Sequence, residues 1–168
     1  MRVPALLLLS GLALTTAACN TTDMAGGPTA EPLTAAPQPV EGYDWFYHVD
    51  GDDARLAYGL AESDDLRLGM DCRRGSGRLA LNAPSQDEGA KDIHIESGGD
   101  TERFPAQSEP SQLHDGVFLT APAEAGAPVF RRFRQVGWLA VWQGETREAY
   151  APHPASRDNI ERFFAFCG

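Results

Sequence analysis

Alternation of hydrophobic and polar positions predicts a domain built mainly from β-strands. The clearest case is residues 66–72, LRLGMDC, in which every second residue is apolar. Successive side chains point to opposite faces of a strand, so one face of this segment belongs in a core. The same alternation, or a short apolar run, predicts further strands at residues 45–49, 56–60, 79–81, 93–95, 102–104, 117–119, 138–142 and 146–151.

Short turns rich in glycine and aspartate separate the predicted strands. Asp50-Gly51 is a typical hairpin sequence. Glycines also lie in residues 73–77 and 98–100, between predicted strands. Because short turns join antiparallel neighbours, we expect an antiparallel sheet.

Two segments have a helical period instead. Residues 128–135 begin at Pro128, which suits the first position of a helix, and Gly137 can end it. Ser156 is the predicted N-cap of a second helix with an apolar stripe. The stripe consists of Ile160, Phe163, Phe164 and Cys167. We therefore predict a mainly β (α+β) fold over residues 43–168, a single domain. Its antiparallel sheet is curved or barrel-like, with a short internal helix and a C-terminal helix packed on it.

The first 42 residues have a different character. Residues 1–18 combine Arg2 with an uncharged apolar run, the layout of a secretory signal peptide. The run is shorter than the roughly 20 residues that a membrane-spanning helix needs. Residues 19–42 contain four prolines and few large apolar residues. Such a composition cannot bury enough surface to fold, so we predict a disordered tether.

The junction between these segments is the sequence Ala17-Ala18-Cys19. It resembles the lipobox of bacterial lipoproteins, in which small residues precede a cysteine. The resemblance implies that Cys19 becomes the mature N-terminus and carries acyl chains that anchor the protein in a membrane. Asn20 favours the outer membrane by the same analogy. The alternative is cleavage by an ordinary signal peptidase near Ala18, with release into the periplasm.

Cys72 and Cys167 remain once Cys19 is acylated. In the oxidising periplasm two such cysteines usually pair. Both lie on predicted apolar faces, one on a strand and one on the last helix, so we predict a disulfide that pins this helix to the sheet. The alternative is a catalytic thiol at Cys72, for which Arg74 is the basic neighbour on the same face.

The charge of the chain limits its partners. With 14 Lys and Arg against 24 Asp and Glu, the formal net charge is −10. A chain this acidic repels phosphate backbones, so we expect no nucleic-acid partner. A cationic or protein partner in the envelope is compatible with the charge, as is a simple role in solubility.

No metal or cofactor site is predicted. The four histidines, His48, His94, His114 and His153, have no close ligand spacing. The acidic run that starts at Asp50 lacks the glycine and glutamate of a calcium-binding EF-hand. Gly75-Ser76-Gly77 has neither the length nor the lysine of a phosphate-binding loop, and a hairpin turn explains it.

Two further patterns have a functional and a structural interpretation. Trp45, Trp138, Trp142 and the C-terminal phenylalanines could line an apolar pocket or belong to the core. Asp64 or Asp65 with a histidine could form a hydrolytic site, or could lie at a solvated loop tip.

The preferred functional hypothesis is a non-enzymatic cell-envelope lipoprotein that displays its domain on a flexible tether and binds an envelope partner. A second hypothesis is an inhibitor of a basic cell-wall hydrolase, because the layout resembles that of membrane-bound lysozyme inhibitors. A third is a carrier for a small apolar ligand, and a fourth is a hydrolase that uses acidic residues.

Overall fold

A computed structural model describes residues 36–112 and 115–168, which belong to one compact unit, Thr34–Gly168. These residues form ten strands and two helices. The strands are β1 (Tyr43–Asp50), β2 (Asp53–Leu60), β3 (Leu66–Arg73), β4 (Arg78–Ser85), β5 (Asp92–Ser97), β6 (Asp100–Pro105), β7 (Gln107–Pro110), β8 (Val117–Glu124), β9 (Leu139–Gln143) and β10 (Thr146–Tyr150). The helices are α1 (Pro128–Val136) and α2 (Arg157–Cys167).

The strands form two antiparallel sheets. The larger sheet has six strands in the order β1-β2-β3-β4-β8-β7, and the smaller has four in the order β10-β9-β5-β6. The predicted mainly β, antiparallel fold with two helices is confirmed. The strands form two open sheets rather than one barrel-like sheet, because no pairing among the described strands joins the edges of either. Alternation along a strand is the same in both arrangements and does not distinguish them.

The core lies where the sheets and helices meet. Leu56, Met70 and Leu81 are fully buried on the inner face of the larger sheet. Helix α1 packs on β5 and β6, and α2 packs on β1 and β2. The helices share an aromatic contact, since the rings of Phe133 and Phe164 lie 6.1 Å apart. This confirms the predicted placement of the last helix on the sheet.

The β1 edge of the larger sheet is covered by the segment that includes α2. Asn159 Nδ2 donates to the carbonyl oxygen of Trp45 at 3.0 Å. The indole N–H of Trp45 donates to the carbonyl oxygen of Tyr150 at 3.3 Å, which brings β10 of the smaller sheet against β1. These bonds satisfy backbone groups that an uncovered edge strand would expose.

Two features differ from the sequence prediction. Strand β7 is not among the predicted strands, because all four of its residues are exposed and carry no alternation. Strand β4 continues through Pro84, which cannot donate a backbone hydrogen bond. The pairing of β4 with β3 ends at Asn82, so beyond it β4 pairs with β8 alone and tolerates a proline.

Neither α1 nor α2, nor any other helix in residues 36–112 and 115–168, is both long and apolar enough to cross a bilayer.

Candidate functional site

The predicted disulfide is present. Cys72 in β3 and Cys167 at the end of α2 are bonded, with their Cα atoms 5.8 Å apart. Cys72 therefore has no free thiol to act as a nucleophile. Cys19, the predicted lipidation site, lies outside the described residues.

The Gly75-Ser76-Gly77 turn holds the end of α2. The backbone N–H of Gly75 donates to the carbonyl oxygen of Phe166 at 3.0 Å, and that of Gly77 to the carbonyl oxygen of Cys167 at 2.8 Å. The last carbonyls of a helix have no partner within the helix. The turn supplies partners for two of them beside the disulfide, which gives this glycine motif a structural role.

The structure does not bring the acidic and histidine residues considered for a hydrolytic site close together. Asp64 is exposed, and the side chain of Asp65 bonds to Tyr43 and Arg67 rather than to a histidine. His48 is exposed on the larger sheet, and His153 contacts the carbonyl oxygen of Val40. His114 lies outside the described residues. Within residues 36–112 and 115–168, no three histidine, cysteine or acidic side chains are grouped as metal ligands.

The aromatic residues considered for an apolar pocket are mainly core residues. Trp45 is fully buried between the rings of Tyr58 and Phe133, at 5.3 and 5.1 Å. Trp138 is also buried. Trp142 is half-buried, stacks on His94 and donates its indole N–H to Glu96 at 2.9 Å. Burial and the positive charge of Arg103 lower the pKa of His94, so its ring is neutral at pH 7.

A pocket that no sequence pattern predicts lies where β1, β2, β3 and β10 meet. We call it the tyrosine pocket. It has a volume of about 290 Å³. Its walls are Val40, Tyr43, Tyr58, Arg67, Glu148, Ala149 and Tyr150. The ring of Tyr58 stacks between those of Tyr150, at 4.5 Å, and Tyr43, at 6.0 Å.

The polar rim of the tyrosine pocket is centred on Arg67. Its Nη2 donates to the Tyr43 hydroxyl at 3.0 Å, and its Nε lies 3.0 Å from Oδ1 of Asp65. The guanidinium carbon lies 5.3 Å from the centre of the Tyr43 ring. Arg67 Nη1 is 3.9 Å from Oε2 of Glu148, which also accepts a 3.2 Å hydrogen bond from Tyr150.

The loop between β2 and β3 folds back on the end of β2 and positions Asp65 at this rim. The backbone N–H of Leu60 donates to the Asp65 carbonyl oxygen at 3.0 Å. Position 59, next to Leu60, needs a glycine, because a Cβ at Gly59 would lie 2.6 Å from the Asp65 carbonyl oxygen. The Tyr43 hydroxyl donates in turn to the Asp65 carboxylate. No periodicity or motif indicates this arrangement, since its residues come from distant strands and a loop.

The Tyr58 hydroxyl has no hydrogen-bond partner among the described residues, although Tyr58 is only 2% exposed. Burial, with the nearby Asp44 carboxylate, raises the pKa of Tyr58 to about 12. Burial also raises the pKa of Tyr150. Both hydroxyls are therefore protonated at neutral pH, and Tyr58 keeps unused hydrogen-bonding capacity.

The solvent-facing side of β1 to β4, which we call the outer face, is a second candidate surface. Two clefts on it have volumes of about 670 and 360 Å³. At its centre Arg55 makes two bonds to Asp71, at 2.7 and 2.9 Å, and Asn82 donates to Asp71 at 2.7 Å. Phe46 is 43% exposed on this face.

Comparison with known proteins found no matching family model, no matching curated protein and no matching solved structure.

Proposed function

We propose that this protein is a non-enzymatic cell-envelope lipoprotein, anchored in the outer membrane through acyl chains on Cys19. The lipobox-like residues and the proline-rich composition of residues 19–42 support the anchor and the tether. The end of this segment belongs to the folded unit rather than to the tether, because Val40 lines the tyrosine pocket and the Gly42 carbonyl oxygen accepts a 3.2 Å hydrogen bond from the Ala61 N–H. The Cys72–Cys167 disulfide suits an oxidising compartment. The folded domain then faces the periplasm and binds a cationic group of an envelope partner in the tyrosine pocket.

The composition of the tyrosine pocket is the observation that carries this proposal. Aromatic faces attract cations, and carboxylates pair with them. The two carboxylates at the rim, Asp65 and Glu148, outnumber the guanidinium of Arg67. Arg67 itself illustrates the chemistry, because it lies over the Tyr43 ring and pairs with Asp65.

The size of the pocket limits what enters it. A volume of 290 Å³ is at the small end of ligand cavities, which run from roughly 300 to 1,000 Å³. A single lysine or arginine side chain of a protein partner suits this space better than a large free ligand. The net charge of −10 would also steer a basic partner toward the domain.

A basic cell-wall hydrolase is one such partner, so the inhibitor hypothesis is a special case of this proposal. We do not propose an apolar-ligand carrier. Trp45 and Trp138, which a carrier would use to line a cavity, are packed in the core.

The test is a titration of the full chain with methylguanidinium and with lysozyme as a basic protein, at low and high salt. We expect binding that weakens with salt, and a Glu148→Gln variant that binds about fivefold more weakly, the effect of losing an ion pair worth about 1 kcal/mol. Glu145→Gln is the matched control, because it removes the same charge at an exposed position outside the pocket.

Two results would refute the pocket as the binding site. One is that neither methylguanidinium nor lysozyme binds at low salt. The other is an equal loss in Glu145→Gln and Glu148→Gln, which would indicate attraction by overall charge alone. Binding to lysozyme without loss of its activity would reject the inhibitor hypothesis and leave the general proposal in place.

A further inference from the structure

The charges of the outer face follow a regular order from β1 to β4. The strand register places Asp50 opposite Asp53, and Asp53 opposite Arg73. Since Cys72 pairs with Leu79, Arg73 lies opposite Arg78. One row across the four strands is thus acidic on β1 and β2 and basic on β3 and β4. These four side chains are exposed and make no ion pair or side-chain hydrogen bond within the described part of the chain.

The next rows on the same face have a compatible order. The second row contains His48, Arg55, Asp71 and Ala80, and the third contains Phe46, Ala57, Gly69 and Asn82. In the third row the two middle residues, Ala57 and Gly69, are small, so another surface can approach the sheet closely there.

From this order we infer that the outer face packs against the outer face of a second copy of this chain. A two-fold axis parallel to the strands, between β2 and β3, would set β1 against β4 of the second copy and β2 against β3. Each row keeps its level under this rotation. Such an interface uses the same patch on both subunits and must be complementary to itself.

Under this rotation each row of the outer face is complementary to the same row of the second copy. Asp50 would face Arg78 of the second copy, and Asp53 would face Arg73. In the second row Arg55 would face Asp71. In the third, Ala57 would face Gly69, so the sheets meet at their smallest residues.

The apolar end of the outer face fits the same arrangement. Phe46 would lie opposite Asn82 of the second copy, next to Pro84. Pro84 and Phe118 line the 360 Å³ cleft of each copy, which gives the exposed Phe46 ring an apolar surface to cover. An unrelated partner would need no such mirrored order, and this is why we assign the surface to a second copy.

The area predicts a weak dimer. Four strands about 4.8 Å apart and six residues long, at about 3.3 Å per residue, cover roughly 400 Å² per copy. Stable specific interfaces bury about 800 Å² per partner. The dimer would therefore form at high local concentration, as on a membrane surface. The membrane setting rests on the proposed anchor, whereas the interface itself does not.

Sedimentation equilibrium of the full chain, in density-matched detergent, tests the inference. We expect the wild type to show a reversible monomer–dimer equilibrium. Asp50→Arg with Asp53→Arg makes the whole row basic, and Arg73→Asp with Arg78→Asp makes it acidic. Each double variant alone should dimerise at least tenfold more weakly than the wild type, and an equimolar mixture of the two should form heterodimers.

Glu88→Arg with Glu145→Arg is the matched control, because it makes the same charge change at exposed positions off the outer face. This control should dimerise like the wild type. Circular dichroism checks that each variant is folded. If a double variant does not fold, Ala57→Gln places a longer side chain at the centre of the face and should abolish the dimer without changing charge.

A wild type that stays monomeric at all concentrations would overturn the inference. So would folded charge variants that fail to form heterodimers in the mixture, or a control that loses the dimer as completely as they do. None of these results bears on the tyrosine pocket, so this inference and the proposed function can fail separately.

Discussion

At the scale of single residues, Ser156 shows how a tertiary contact replaces a local one. Ser156 is the N-cap residue of α2, but its hydroxyl bonds to no backbone N–H of the helix. It donates instead to the Asp44 carboxylate. The same oxygen of Asp44 accepts the backbone N–H groups of Trp45, at 2.8 Å, and His153, at 3.1 Å. Ser156 is therefore the N-cap residue, as predicted, but its hydroxyl ties the start of α2 to β1 instead of bonding to the helix backbone.

Tyr58 gives a prediction about an unpaired polar group. A buried hydroxyl without a partner costs about 1–3 kcal/mol of folding free energy, and phenylalanine removes this cost while keeping the ring. We expect Tyr58→Phe to raise the free energy of unfolding by about 1 kcal/mol, measured by urea denaturation. Tyr150→Phe is the control and should be destabilising, since the Tyr150 hydroxyl bonds to Glu148. A destabilised Tyr58→Phe would mean that a water molecule satisfies the hydroxyl.

Glu96 gives a prediction about pH. Arg147 donates to it at 2.8 and 2.9 Å and Trp142 at 2.9 Å, and its side chain is 15% exposed. These hydrogen bonds lower the pKa of Glu96 below its ordinary value of 4.5. Glu96 therefore stabilises the fold above the unfolded-state pKa, and this contribution is lost as the pH falls through the folded-state pKa.

Urea denaturation between pH 7 and pH 2 measures this effect. At pH 7 we expect Glu96→Gln to lower the free energy of unfolding by about 1–2 kcal/mol. The difference from wild type should shrink below pH 4.5. Glu145→Gln, at an exposed turn, should show no such trend. A difference that is constant with pH would mean that shape, rather than charge, makes Glu96 important.

At the scale of elements, α2 is held at both ends and along its side. Asn159 bonds to β1 near the start of the helix, and the disulfide joins its last residue to β3. The side chain of Arg74 adds a contact at the same end, 4.0 Å from the centre of the Phe166 ring. The helix therefore belongs to the larger sheet and is not a separable appendage.

The disulfide should be the largest of these contributions to stability. It joins residues 95 apart in sequence, and a loop of that size is worth about 4–5 kcal/mol in the chain-entropy account, usually less in practice. We expect Cys72→Ala with Cys167→Ala to lower the free energy of unfolding by most of that amount. The midpoint of urea denaturation should fall accordingly. A reducing agent should do the same to the wild type and nothing to the double variant. Equal midpoints in all four samples would show that the other contacts suffice.

Elements with a strong pattern can be predicted from the sequence, and elements without one cannot. Alternation predicts strand β3, and Pro128 and Gly137 predict α1; Gly137 ends the helix in the left-handed conformation, with its N–H bonded to Phe133. Strand β7 has no buried side chain to mark it. The disulfide is predictable because both cysteines lie on apolar faces. The tyrosine pocket is not, because Tyr43 and Tyr150 line one pocket only through the meeting of β1 and β10.

At the scale of the whole molecule, the proposed anchor makes a prediction about mass. Protein purified from membranes should have an intact mass that includes acyl chains on Cys19 and two hydrogens fewer than the reduced chain. Replacement by Cys19→Ser should move the protein into the fraction released from membranes. Asn20→Gln is the control and should stay with the membranes. A mature protein with an unmodified Cys19 would contradict the anchor and favour release into the periplasm.

The long span of the disulfide also sets an order of assembly. If the chain is exported from its N-terminus, as the proposed anchor requires, Cys72 reaches the periplasm before Cys167 does. During that interval Cys19 is the competing sulfur in this sequence. Acylation of Cys19 would remove its thiol from disulfide exchange. The lipid would then prevent incorrect disulfide pairing as well as hold the protein to a bilayer.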